Sequence, residues 1–183
     1  NSGVVKRRLK EGTDTFTGIE TLSFADTDYS IVLAGQKLVG TVSSDTLTGG
    51  AGNDSLEGLG GDDTLDGSDG NDTIQGGEGD DTIKGGTGDD ILYGGGGNDR
   101  IIGGAGVDTI YGGDGNDNIS VGLGNYGYND DDESGVQLVD AGAGDDYIEG
   151  RDNQKILAGS GNDTITGAFS YLDAGEGDDH VTI

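Results

Sequence analysis

The chain has 183 residues, of which 41 are glycine and none is Cys, Pro, Met or Trp. Asp and Glu number 36 against 9 Lys and Arg, a net charge of −27. A single His and no Cys argue against zinc and copper sites. The negative charge argues against nucleic acid, and no apolar run is long enough to insert in a membrane.

Residues 1–39 precede the regular part of the chain. Gly12 to Leu33 carries apolar Phe16, Ile19, Leu22 and Phe24 around a Gly18-Ile19-Glu20 turn. A repeat array must shield its terminal core from water, so this stretch reads as an N-terminal capping segment. Lys6-Arg7-Arg8 reads as a solvated stretch, too short to hold nucleic acid. No signal peptide opens the chain. It begins Asn1-Ser2 and stops at Val181-Thr182-Ile183 inside a repeat, so it is expected to be a piece of something longer.

Residues 40–120 form the regular array. From Gly49 to Ser120 a nine-residue unit, Gly-Gly-x-Gly-x-Asp-x-U-x with U Leu or Ile, runs eight times without a gap. Position 6 is Asp and position 8 is Leu or Ile in all eight. Gly40 to Thr48 is a degenerate unit with Asp45 and Leu47 at those positions. Internal periodicity of this kind fixes architecture. Glycines at positions 1, 2 and 4 mark a tight turn. Positions 7 to 9, such as Thr73-Ile74-Gln75, suit a three-residue strand with one inward side chain. The expected fold is all-β: a right-handed parallel β-roll, two units and eighteen residues per coil, with a rise of about 4.8 Å. Its core is a ladder of Leu47, Leu56, Leu65, Ile74, Ile83, Leu92, Ile101, Ile110 and Ile119.

One large aliphatic residue per nine is too little to offset the ordering of so much glycine. A ligand bound only by the folded state must supply the difference. Stacking places position-6 carboxylates of units eighteen apart at about the strand spacing. Carboxylates that close repel unless a cation lies between them. An all-oxygen set of carboxylates and carbonyls suits Ca²⁺, whereas Mg²⁺ demands stricter geometry and keeps its waters.

Over residues 49–120 the sequence resembles the repeats-in-toxin (RTX) family of secreted bacterial proteins, whose nonapeptides fold as a calcium-bound β-roll. The resemblance implies that each ion sits between two turns on one side, held by position-6 aspartates and by carbonyls of the glycine turns. Carried over, the pairs are Asp54/Asp72, Asp72/Asp90 and Asp90/Asp108 on one side, and Asp63/Asp81, Asp81/Asp99 and Asp99/Asp117 on the other. Asp45/Asp63 would be a seventh. The carbonyls implied are those of Gly49, Gly58, Gly67, Gly76, Gly85, Gly94, Gly103 and Gly112. The expected cofactor is therefore calcium, about six ions or more.

Residues 121–140 are a decayed unit, with Tyr126 where Asp is expected, followed by an acidic insertion, Asn129 to Glu133. Residues 141–183 resume an irregular repeat continuing the solenoid, with Ala in place of the first glycine. Their position-6 residues, Asp146, Asp163 and Asp179, are further candidate ligands, spaced 17 and 16 apart because the intervening units 150–157 and 167–173 are short. This predicts one coil with calcium kept on one side and lost or altered on the other.

No catalytic residue is expected. His180 stands at outward position 7, and neither Gly-x-Ser-x-Gly nor His-Glu-x-x-His occurs. Position 3 carries no Thr ladder, which argues against ice binding. Tyr93 and Tyr111, eighteen apart, should stack on one outer face near Ile91 and Tyr128. Two functional classes follow. One is a structural element of a cell-surface protein: an adhesin, surface layer or extracellular filament. The other is the C-terminal secretion and folding module of a type I-secreted protease, lipase or toxin. Both are extracellular, and both begin as a disordered chain without Ca²⁺. Beyond calcium, the partners to consider are a second copy, neighbouring domains of a parent protein, and a surface polysaccharide.

Overall fold

A computed structural model describes residues 35–122, 137–151 and 154–183. These lie in one compact unit, Val32–Ile183. The expected capping segment, the Lys6-Arg7-Arg8 cluster, Tyr126, Tyr128 and the acidic insertion lie outside the described residues.

The described residues form strands and turns without a helix. One parallel sheet contains β1 (Lys37–Val39), β3 (Ser55–Gly60), β5 (Thr73–Glu78), β7 (Ile91–Gly96), β9 (Thr109–Asp114), β11 (Gln137–Ala143), β13 (Gln154–Leu157) and β15 (Tyr171–Asp173), neighbours in that order. The other contains β2 (Thr46–Ala51), β4 (Thr64–Asp69), β6 (Thr82–Thr87), β8 (Arg100–Ala105), β10 (Asn118–Ser120), β12 (Tyr147–Gly150), β14 (Thr164–Gly167) and β16 (His180–Thr182). Consecutive strands alternate between sheets, which makes a β-solenoid.

The register follows the sequence period. Leu47 pairs with Leu65, Leu65 with Ile83 and Ile83 with Ile101, each step being eighteen residues. The position-8 side chains therefore stack in two inward columns. From Leu56 to Ile119 all eight are at most 1% exposed. Val139, Ile148, Ile156 and Ile165 extend the columns, and Leu38, Leu47 and Leu172 pack at their ends. Outside, Tyr93 and Tyr111 stack with ring centroids 4.9 Å apart and planes at 5°.

Two features depart from the sequence reading. The regular strands have six residues rather than three, because pairing continues through the glycines: Gly50 lies opposite Ser68 and Ala51 opposite Asp69. The register passes over position 1, so Gly49 and Gly67 are not paired. The second departure concerns the decayed unit. Leu138 pairs with Thr109, which puts Gln137 level with Asp108. An insertion lengthens that coil, and β11 re-enters the sheet in register after it. Beyond this point the coil shortens: Ile148 pairs with Ile165 and Ile165 with Val181, 17 and 16 residues apart.

Candidate metal centre

Each regular turn runs from position 1 to position 6, and its aspartate folds back over its own glycine. Asp54, Asp63, Asp72, Asp81, Asp90, Asp99, Asp108, Asp117, Asp146 and Asp163 are all buried, at 1–3% exposure. One carboxylate oxygen is committed. Oδ1 of Asp72 accepts the backbone N–H of Asp54 at 2.7 Å, and Oδ1 of Asp90 accepts that of Asp72 at 2.8 Å. The same bond links Asp63 to Asp45, Asp81 to Asp63, Asp99 to Asp81, Asp108 to Asp90 and Asp117 to Asp99. It crosses the insertion, where Asp146 accepts from Asp117 at 2.7 Å, and continues through Asp163 to Asp179. Each carboxylate thereby joins adjacent coils.

The other oxygen has no partner. Oδ2 of all ten buried aspartates is enclosed without a hydrogen-bond donor. An uncompensated buried anionic oxygen is costly and demands explanation. Its surroundings supply one. A Cβ added to Gly103 would stand 2.5 Å from Asp108 Oδ2 and 2.7 Å from the carbonyl oxygen of Val121, on the next coil. At Gly49 the crowding atoms are Asp54 Oδ2 and Gly67 O, and at Gly58 they are Asp63 Oδ2 and Gly76 O. Gly67, Gly76, Gly85 and Gly94 repeat the arrangement with Gly85, Gly94, Gly103 and Gly112 carbonyls, and Gly112 repeats it with Ala141. From Gly49 to Gly112 two proton-free oxygens converge where a position-1 side chain would begin, whereas Ala141, Ala158 and Ala174 stand at that position in the later turns. Positions 2 and 4 favour glycine for another reason: their φ is positive, as at Gly95 (123°) and Gly97 (124°).

Electrostatics point the same way. Burial pushes the Asp90 carboxyl up to about 7, and the negative charges of Asp108 and Asp72 add to the rise. Burial, then the charges of Asp99 and Asp146, push Asp117 up to about 7. Asp81, Asp108 and Asp146 are pushed up to about 6 with burial as the leading cause. Asp72, Asp99 and Asp163 shift in the same direction. In each, the backbone N–H bond to Oδ1 opposes the rise without cancelling it. A cation beside Oδ2 is what would let these carboxylates stay ionised at neutral pH.

The donor set is hard oxygen. Among the described residues no group of three or more His, Cys, Asp or Glu converges. A cation here would therefore take backbone carbonyls together with carboxylate oxygens, a set that fits Ca²⁺ and not a soft metal.

Three predicted residues stand apart from the regular pattern. Asp45 is half-exposed, and its Oδ2 accepts the N–H and the hydroxyl of Thr41 at 2.6 and 2.8 Å. Asp179, also half-exposed, accepts the N–H of Asp163 at 3.1 Å. Gly49 O accepts the side-chain N–H of Gln36 at 2.7 Å. The sequence reading missed the carbonyls of Val121, which lies eighteen residues after Gly103, and of Ala141, which follows only from the register across the insertion. It also missed Gln36, Gln137 and Gln154, which share the aspartate column without matching the motif. Counting back eighteen from Asp54 reaches Gln36, so that one was within reach.

The family model for the RTX calcium-binding nonapeptide repeat matches four times, over residues 39–74, 66–101, 93–128 and 150–169. No match to a curated protein was found. The four copies span more than half of the chain and coincide with the turns just described, so this protein belongs to the RTX calcium-binding nonapeptide repeat family and is a calcium-binding β-roll.

Proposed function

We propose that this chain is a structural roll of a cell-surface or extracellular protein, ordered when it meets the millimolar calcium outside a cell. The observation that carries the reading is the row of buried, unpartnered Oδ2 atoms, those from Asp54 to Asp117 each beside a carbonyl of the next coil. The ligands in this reading are Asp54, Asp63, Asp72, Asp81, Asp90, Asp99, Asp108 and Asp117, with position-1 carbonyls from Gly67 through Gly112 and those of Val121 and Ala141. Asp146 and Asp163 extend the row.

Bound Ca²⁺ would supply the positive charge that offsets paired carboxylates. The chain does the rest. Oδ1 fixes each carboxylate to the preceding coil, position-1 glycine lets the carbonyl approach, and the Leu/Ile columns exclude water between the sheets. No predicted role uses His180, which is exposed on the last strand.

Light scattering combined with circular dichroism through a Ca²⁺ titration tests the assignment. Ordering accompanied by rising mass supports an assembling surface element. Ordering at constant monomer mass favours the export and folding module of a larger secreted protein. No ordering at millimolar Ca²⁺ removes both.

A further inference from the structure

The two edges of the roll are not alike. Along one edge the position-6 residues are Asp45, Asp63, Asp81, Asp99, Asp117, Asp146, Asp163 and Asp179, an unbroken column. Along the other, register places Gln36, Asp54, Asp72, Asp90, Asp108, Gln137, Gln154 and Ser170 level with one another. Four aspartates are thus bracketed by glutamines.

The glutamines answer the position's chemical problem without a cation. An amide carries both a donor and an acceptor, whereas a carboxylate only accepts. Gln36 Nε2 donates to Gly49 O at 2.7 Å. That carbonyl bears the same relation to Gln36 as Gly67 O bears to Asp54 Oδ2, so an N–H stands where two bare oxygens otherwise meet. Gln137, 7% exposed, donates through Nε2 to Gly106 O at 2.9 Å. Gln154, 1% exposed, donates to Gln137 Oε1 at 2.8 Å, and its own Oε1 accepts the backbone N–H of Arg151 at 2.6 Å. Orphaned buried side-chain oxygens among the described residues belong to aspartates, and none to these glutamines.

Turn length agrees. From Gly103 to Asp108 a turn has six residues, from Gly150 to Gln154 five and from Gly167 to Ser170 four. The full-length turns Ala141–Asp146, Ala158–Asp163 and Ala174–Asp179 all lie on the aspartate edge. At Gly150 the cradle is wider: an added Cβ would stand 3.1 Å from Gln154 Oε1, an oxygen already bonded.

We propose that Gln36, Gln137 and Gln154 are built-in substitutes for calcium, so that one edge of the roll is loaded along its length and the other only between Asp54 and Asp108. The proposal rests on the calcium reading above. It makes the C-terminal coils metal-held on one edge and amide-held on the other.

Anomalous diffraction from crystals of the unaltered chain grown with Ca²⁺ tests it directly. Ions are expected beside Asp117, Asp146 and Asp163, with none beside Gln137 or Gln154. An ion at either glutamine overturns the proposal and leaves the calcium reading intact, whereas no ion at any aspartate overturns the calcium reading itself. Equilibrium dialysis supplies a second test. Gln137→Asp should bind one more ion per chain than the parent, because it places a carboxylate opposite Asp108. Equal stoichiometry in a Gln137→Asp chain that folds, by circular dichroism, overturns the proposal.

Discussion

At the residue scale the account turns on one oxygen, Oδ2 of a position-6 aspartate. Asp117 is enclosed with that atom facing Ala141 O at Gly112. Asp117→Asn replaces a charged acceptor by a neutral group that can donate, as Gln36 does at Gly49. The substitution should destabilise the calcium-loaded protein by about 1–3 kcal/mol. Chemical denaturation of both chains at millimolar Ca²⁺ measures the loss, and equal stability would contradict it. A second residue-scale prediction concerns position 2, where Leu59 and Ser68 hold positive φ of 82° and 79°. Side chains resist that region. Leu59→Gly, at an exposed site, should raise stability by roughly 1 kcal/mol, because relief of strain exceeds the added freedom of the unfolded glycine. An unchanged or lower melting temperature would contradict this.

At the element scale, each strand contributes one inward aliphatic side chain, and its neighbours eighteen residues away complete the column. Ile101 is wholly buried between its column neighbours Ile83 and Ile119. Ile101→Ala should cost about 2–5 kcal/mol and, through linkage, weaken apparent calcium affinity even though no ligand is touched. By contrast, replacing the outward-facing pair Tyr93 and Tyr111 by Ser should cost only about 0.2–1 kcal/mol, the worth of a cross-strand pair. The alternation of strands between two sheets and the identity of the column were legible in the sequence, because a nine-residue period with one aliphatic at position 8 admits little else. Strand length was not, since glycine-rich positions 1 to 3 look like turn although their backbones still pair. The level of Gln137 was not legible either, because an insertion's length does not reveal where pairing resumes. The aspartates stood out by repetition, whereas the glutamines, doing related work by hydrogen bonding, carry no motif.

At the scale of the whole molecule, charge and order are coupled. A net charge of −27 opposes compaction, and the buried carboxylates concentrate that opposition along the two turn edges. In the calcium-free chain this gives a definite pH dependence. Asp90 and Asp117 are raised to about 7 in the fold, from an ordinary aspartate value near ~3.9. A raised folded value means that the stabilising contribution of protonation is complete below the unfolded value and disappears as pH rises through the folded one. Calcium-free protein should therefore be more ordered near pH 4.5 than at pH 7.5, and calcium should bind more weakly below about pH 6, where protons compete for the same oxygens. Far-UV circular dichroism across that range, in calcium-stripped buffer, checks the sign.

The central claim is that this roll closes around cations rather than around its thin core alone. Small-angle scattering of the calcium-stripped chain at pH 7.5, followed through a Ca²⁺ titration, tests it most directly. The account predicts a radius of gyration near ~45 Å without calcium, falling steeply toward roughly 16 Å as the ions bind. A chain already compact at neutral pH without calcium, or one still expanded at millimolar Ca²⁺, would contradict it.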